Sequence, residues 1–136
     1  MPTRVQWDPE FSVADELIDA QHQALLTQCN VLADLCPDSR SDETDRRFDQ
    51  AFDQLKAVAR EHFETEAAWL AGRAGLDLDA HRIECEEFEY LANDIATIEH
   101  FDRLELQRFL ALWCVGHIAG SAKRLHDILA DGTAST

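Results

Sequence analysis

Apolar and polar residues follow each other along this chain with the spacing of helices. Apolar positions recur three and four residues apart in four long stretches, and the two-residue alternation of a strand is missing from the sequence. This spacing predicts helices over residues 15–36, 42–71, 78–98 and 103–130, preceded by an N-terminal arm of residues 1–14. Amphipathic helices joined by short connections predict an all-α fold, an up-down-up-down antiparallel four-helix bundle.

Residues that interrupt or begin helices stand at the predicted boundaries. Pro37 and the pair Gly72 and Gly75 break the apolar spacing. Ser41 and Asp77 precede the second and third helices, where a side-chain oxygen accepts hydrogen bonds from the first free N–H groups. The chain of 136 residues has the length of one domain with a single core, so we predict one domain over residues 1–136.

Side chains that a bundle core normally excludes interrupt all four apolar stripes. They are His22 in the first helix, His62 and Glu66 in the second, His81 and Cys85 in the third, and His117 in the fourth. Burying an unpaired polar side chain costs roughly 2–7 kcal/mol, so six of them on inward stripes indicate a shared partner. Imidazole, carboxylate and thiolate groups are ligands of first-row transition metals. The sequence therefore predicts a buried metal centre.

Two motifs within this set resemble the hemerythrin family, specifically its single-domain bacterial type. The first is Ile-Asp-Ala-Gln-His, which ends at His22, and the second is His-Phe-Glu-Thr-Glu, which runs from His62 to Glu66. His81 and the segment Trp-Cys-Val-Gly-His that begins at Trp113 follow in the family's order. Members of this family bind two non-haem iron ions and take up O2 reversibly, and we expect the same cofactor and a small diatomic ligand here.

The resemblance also implies a role for each ligand. His22 and His62 would bind one iron ion, His81 and His117 would bind the other together with residue 85, and Glu66 would bridge the two ions. The predicted ligand pocket consists of Trp113, Cys114, Ile118 and Ala122.

The chain departs from the family pattern at two ligand positions. Cys85 stands where the family has a second histidine, and Ala122 stands where it has a second bridging carboxylate. A thiolate at Cys85 would keep two negative charges at the site, because a metal-bound thiol is deprotonated. A mononuclear zinc or iron site formed by His81, Cys85, Cys114 and His117 is a separate hypothesis, since two thiols and two imidazoles suit tetrahedral zinc.

The net charge and the cysteines restrict the partners and the cellular compartment that we expect for the protein. Twelve basic and 27 acidic residues give a net charge of −15, which disfavours nucleic acid and anionic membranes as partners. The N-terminal segment lacks the apolar core of a signal peptide, and no apolar run reaches the ~18 residues of a membrane span. We therefore expect a cytoplasmic monomer or weak homo-oligomer whose four cysteines are thiols or ligands.

The sequence is compatible with three functions. The first is storage, delivery or sensing of O2 or a related small ligand by a protein that is not an enzyme. The second is a thiol and iron redox or nitric-oxide sensor, in which Cys85 and Cys114 form a disulfide. The third is a peroxide or nitric-oxide reductase, for which the sequence names neither a substrate site nor an electron donor. The motifs favour the first.

Overall fold

The computed structural model describes residues 1–36, 41–72, 78–95 and 102–134, except for the side chains of residues 95 and 128–134. Over these residues the fold is all-helical, without strands, and is consistent with a helical bundle. Its elements are a 3-10 turn at Pro9–Phe11, α1 at Glu16–Asp34, α2 at Asp42–Ala71, α3 at Leu78–Glu89, a π-helical segment at Tyr90–Ile95 and α4 at Arg103–Ala134. No helix in the described part of the chain has the length and apolar character needed to cross a membrane.

Side-chain caps begin three of the four helices. The Asp15 carboxylate accepts the N–H three residues further on at 3.0 Å and starts α1. Before α2, Ser41 Oγ accepts the Thr44 N–H at 3.1 Å, and Thr44 Oγ1 accepts the Ser41 N–H at 2.9 Å. This reciprocal pair satisfies two N–H groups that the helix itself leaves free, and it confirms Ser41 as the N-cap. Asp102 caps α4 through a 2.8 Å bond.

The helix ends differ in detail from those that the spacing predicts. Regular α-helix in α3 ends at Glu89, where wider π-helical turns take over. α4 continues past residue 130 and includes Gly132, although glycine costs about 1 kcal/mol in a helix interior. The predicted boundary residues Pro37, Gly75 and Asp77 lie outside the described residues.

Two apolar clusters make up the core. The larger one includes Leu25, Phe63 and Ile118, and the smaller one includes Ile18, Ala122 and Leu125. On α1 the inward stripe passes from Ile18 in the small cluster, through the fully buried His22, to Leu25 in the large cluster. The polar residues therefore occupy the boundary between two apolar layers, where water has little access.

The N-terminal arm is held to α1 and α4 by the amide groups of one half-buried and one buried side chain. Gln107 is fully buried, accepts the Thr3 N–H at 2.7 Å and donates to Thr3 O at 2.6 Å and to Cys29 O at 3.2 Å. Asn30 forms a similar pair with Val5, at 2.9 and 2.8 Å. These bonds satisfy backbone groups of the arm that would otherwise face the core.

Candidate metal centre

Four buried side chains from three helices meet in the boundary layer. They are His22 of α1, His62 and Glu66 of α2, and His117 of α4, and one potential ligand atom of each lies within 4.8 Å of the others. Their exposed fractions are 0%, 0%, 2% and 3%. His62 and Glu66 share one face because they stand four residues apart in a helix. We call these four residues the His/Glu cluster.

The three imidazole rings direct the same nitrogen toward one carboxylate oxygen. Glu66 Oε2 lies 3.1 Å from His22 Nε2, 2.5 Å from His62 Nε2 and 3.4 Å from His117 Nε2. The Nε2 atoms of His62 and His117 are themselves 3.2 Å apart. Three nitrogens and one oxygen around a common point form a donor set that a transition-metal cation prefers.

Hydrogen bonds on the outer side of His62 fix its tautomer. The Thr65 hydroxyl donates to the Glu61 carbonyl at 3.0 Å, so Thr65 Oγ1 accepts from the Gln21 amide, at 3.1 Å. The remaining Gln21 oxygen accepts from His62 Nδ1 at 2.9 Å. Because Nδ1 carries the proton, a neutral His62 presents the lone pair of Nε2 to the cluster, as a metal ligand must.

His117 is oriented in the same way by a carboxylate. Its Nδ1 donates to Glu84 Oε2 at 2.6 Å, and Arg124 Nη1 donates to Glu84 Oε1 at 3.1 Å. The imidazole also stacks on Trp113, with ring centroids 5.0 Å apart and planes 7° from parallel. These contacts leave Nε2 of His117 directed at His62 and Glu66.

The cluster attracts one positive charge. Burial alone would raise the pKa of Glu66, but its contacts with His117, His22 and His62 outweigh burial and hold the pKa well below its usual range. Burial lowers the pKa of His62 to about 4. Burial would also lower the pKa of His117, yet hydrogen bonds to Glu66 and Glu84 raise it to about 9. At neutral pH one proton thus lies among facing acceptor atoms, and a cation suits the same position.

His81 approaches Glu66 from the other side. Its Nε2 lies 3.6 Å from Glu66 Oε1, the oxygen to which Ser121 Oγ donates at 3.3 Å. Burial lowers the pKa of His81, which keeps the ring neutral. His117 contacts the Glu66 oxygen that His22 also contacts, whereas the family resemblance implied that His117 and His81 share an ion.

Cys85 lies beside His81, outside the His/Glu cluster. Its Sγ is 3.7 Å from His81 Nε2. Burial, followed by the charges of Glu66 and Glu84, raises the pKa of Cys85 to about 12. Without a metal the Cys85 side chain is therefore a neutral thiol. The negative charges at this site are then the Glu66 carboxylate within the cluster and the Glu84 carboxylate that contacts His117.

Cys114 has a different neighbour from the one that the sequence suggested. It is fully buried, and a hydrogen bond with Cys29 together with burial raises its pKa well above the usual value. None of the four cysteines forms a disulfide within the residues that the structure describes. In the described part of the chain, the hypothetical mononuclear site of His81, Cys85, Cys114 and His117 is not brought together, because Cys114 packs against α1.

The other predicted pocket residues lie around the cluster. Ile118 is fully buried in the large apolar cluster, and Ala122 lies in the small one beside Val13. Trp113 is half-buried and covers one face of His117. Apolar side chains thus enclose the polar groups and keep water from them.

Sequence reasoning missed the residues that orient the cluster. Glu84 and Arg124 do not stand on an apolar stripe, so the spacing gave them no role. Gln21 was recognised within a motif, but without a function. One available signal was the position of Glu84, three residues after His81 and therefore on a neighbouring part of the same helix face.

A helical fold with three imidazoles and a carboxylate in its core defines a class of cation-binding proteins. The family model described as the hemerythrin HHE cation-binding domain matches residues 13–129. The chain belongs to the hemerythrin family, which confirms the resemblance found in the sequence. It is therefore a metal-binding protein of a family that typically holds iron. No curated protein and no solved structure matched the chain.

Proposed function

We propose that this protein binds O2 or a related small ligand at a non-haem di-iron centre. The convergence of three imidazole nitrogens on Glu66 in a buried layer carries this proposal. His22, His62, His117 and Glu66 Oε2 would hold one ion, and Glu66 Oε1 with His81 and Cys85 would hold the second. Ferrous iron, when bound, supplies the electrons that reversible O2 binding requires.

The two oxygens of Glu66 support its role as the shared ligand. Oε2 meets the Nε2 atoms of His22, His62 and His117, while Oε1 meets His81 Nε2 and the Ser121 hydroxyl. A carboxylate with partners on both sides is suited to bridging two cations. The His81 side has fewer donor atoms, so the second ion should bind more weakly than the first.

An apolar cleft gives a small ligand a route to the weaker side. The cleft has a volume of about 430 Å³, lies between α2 and α3, and is lined by Phe63, Glu64, Ala67, Leu78, Asp79, His81, Arg82 and Cys85. Small uncharged ligands such as O2 favour apolar surroundings over water. His81 and Cys85, the proposed ligands of the second ion, lie in its wall, so a ligand that enters here reaches the His81 side of Glu66.

We propose that the four helices form an up-down-up-down bundle, and contacts among the first three support this topology. His22 near the start of α1 meets Glu66 near the end of α2, and Glu66 meets His81 near the start of α3. Such contacts between opposite ends are expected when consecutive helices run in opposite directions.

We also propose that the protein is a cytoplasmic monomer or weak homo-oligomer. Its net charge of −15 disfavours nucleic acid and anionic membranes as partners.

Loading the protein with ferrous iron in the absence of air tests the function. The protein should retain up to two ions per chain, and its absorption should change on exposure to O2 and return when O2 is removed. His62→Ala should lose the stronger ion, whereas His126→Ala, which alters an exposed histidine, should not. A chain that retains no iron, or that retains iron without a reversible change, would contradict the proposal.

The thiol-sensor alternative has less support. It needs Cys85 and Cys114 to meet, but Cys114 forms a hydrogen bond with Cys29, and burial raises the pKa of the Cys85 thiol to about 12. A protonated, partly buried thiol is a poor nucleophile toward peroxide.

A further inference from the structure

Glu84 connects the metal centre to the surface of the bundle. Its Oε2 accepts from His117 Nδ1 at 2.6 Å, and its Oε1 accepts from Arg124 Nη1 at 3.1 Å. Arg124 Nη2 in turn donates to Ser121 Oγ at 3.5 Å, and that hydroxyl donates to Glu66 Oε1 at 3.3 Å. A chain of hydrogen bonds therefore joins His117 and Glu66 from outside the cluster.

We propose that Glu84 is a positioning residue for the metal centre, and that Arg124 orients the Glu84 carboxylate by holding the oxygen that does not contact the imidazole. Glu84 holds the proton of His117 on Nδ1 and so keeps Nε2 available to a metal ion directed at Glu66. This assignment rests on the proposed metal centre, but it concerns residues that do not themselves contact the ion.

The physical reason is the choice of tautomer. A neutral imidazole carries its proton on either nitrogen, and only the nitrogen without the proton binds a metal. A carboxylate accepts hydrogen bonds and donates none, so Glu84 favours a proton on Nδ1. Its charge also strengthens electron donation from Nε2, the effect by which carboxylates behind ligating histidines raise metal affinity. Since an alanine stands at residue 122, Glu84 is, after Glu66, the second carboxylate in contact with the cluster.

The geometry predicts an unusual response to Glu84→Gln. Glutamine has a single oxygen, and Arg124 has only donor groups, so the oxygen would turn to Arg124. The amide NH2 would then face His117 Nδ1 and require it to accept, which moves the ring proton to Nε2. Adding Arg124→Met removes the competing donor, so the glutamine oxygen is free to accept from Nδ1 again. A second substitution should therefore restore what the first one lost.

Cobalt(II) is a suitable probe, because its visible absorption reports ligation and its binding needs no O2. Glu84→Gln should lower Co²⁺ affinity roughly 10–100-fold, the loss typical of an outer partner of a ligating histidine. The double variant Glu84→Gln/Arg124→Met should recover most of that loss, and Arg124→Met alone should lose less than Glu84→Gln. Glu87→Gln is the matched control, since it removes an exposed charge from the same helix and should leave affinity and spectrum unchanged.

A second measurement uses the unmodified sequence. In the zinc-loaded protein, the Nδ1 proton of His117 should give a downfield proton NMR signal, as expected for a short bond to a carboxylate. Absence of that signal overturns the proposal. So does wild-type affinity in Glu84→Gln, an equal loss in Glu87→Gln, or a double variant that binds no better than Glu84→Gln. A wild-type chain that binds neither Co²⁺ nor iron instead refutes the proposed function, and this assignment with it.

Discussion

His62 and His117 face each other with their Nε2 atoms 3.2 Å apart, in a site where both rings are almost completely buried. Gln21 accepts the outer proton of His62, and Glu84 accepts the outer proton of His117. The inner lone pairs and the Glu66 carboxylate would repel each other without a positive charge between them. A cation in this position relieves the repulsion, which explains why a core tolerates so many polar groups.

Metal uptake by this site should depend on pH. In the metal-free protein the pKa of His117 is raised to about 9, whereas His62, with a pKa of about 4, is already neutral at pH 7. The first ion must therefore displace one proton. Between pH 7 and 9 the apparent affinity should rise about tenfold per pH unit and then level off. Competition titrations with Zn²⁺ at several pH values measure how the apparent affinity changes with pH. An affinity that does not change below pH 9 would show that metal binding displaces no proton from His117.

Restoring the two family ligands should strengthen the second ion site. Cys85→His adds an imidazole next to His81, and Ala122→Asp adds a carboxylate in the small apolar cluster. Without metal the buried aspartate should destabilise the fold by about 3–5 kcal/mol, and iron should offset this loss. Iron per chain and urea unfolding with and without iron give both quantities.

The control for this pair is Cys85→His with Ala122→Asn, which has nearly the same shape but no charge. It should retain less iron than the aspartate pair. If the aspartate pair holds no more iron than the wild type, the two departures do not explain a weak second site.

Cys85 and Cys114 should resist peroxide in the metal-free protein at neutral pH. Cys85 deprotonates only as the pH approaches its raised pKa of about 12, and Cys114 is fully buried beside Cys29. Peptide mapping by mass spectrometry after peroxide treatment should find no bond between Cys85 and Cys114. Detection of a disulfide between Cys85 and Cys114 would contradict this prediction and support the sensor hypothesis.

Gln107 should matter for stability but not for metal binding. Gln107→Ala removes three hydrogen bonds to the arm and to α1, and leaves buried backbone groups without partners. We expect a loss of about 1–3 kcal/mol in the free energy of unfolding. Urea denaturation measures this loss, and the exposed Gln23→Ala provides the control. Equal stability of the two variants would mean that the arm is held by its apolar contacts alone.

The helical spacing was enough to predict how the central side chains converge. The sequence places His22, Glu66 and His81 on inward stripes of consecutive antiparallel helices, and such helices bring the start of one beside the end of the next. The structure places both histidines within 3.6 Å of Glu66 oxygens. The spacing is a property of each helix by itself, and the short connections predict the antiparallel direction, so one sequence was sufficient for both.

The partners of the outer atoms could not be predicted in this way. Spacing does not determine how far each helix is rotated about its axis, and that rotation decides that Cys114 meets Cys29 instead of Cys85. Glu84 and Arg124 stand at the edges of their helices, where a charged residue is ordinarily solvated. Their contact with each other depends on how α3 and α4 pack, and no sequence motif indicates that packing.

Anomalous X-ray diffraction at the iron absorption edge tests the central claim most directly. Crystals of the protein loaded with ferrous iron should show their strongest anomalous peak between the Nε2 atoms of His22, His62 and His117 and the Glu66 carboxylate. A second, weaker peak should lie on the His81 side of Glu66. An iron-loaded crystal with its iron elsewhere, or with none at the His/Glu cluster, would contradict the account.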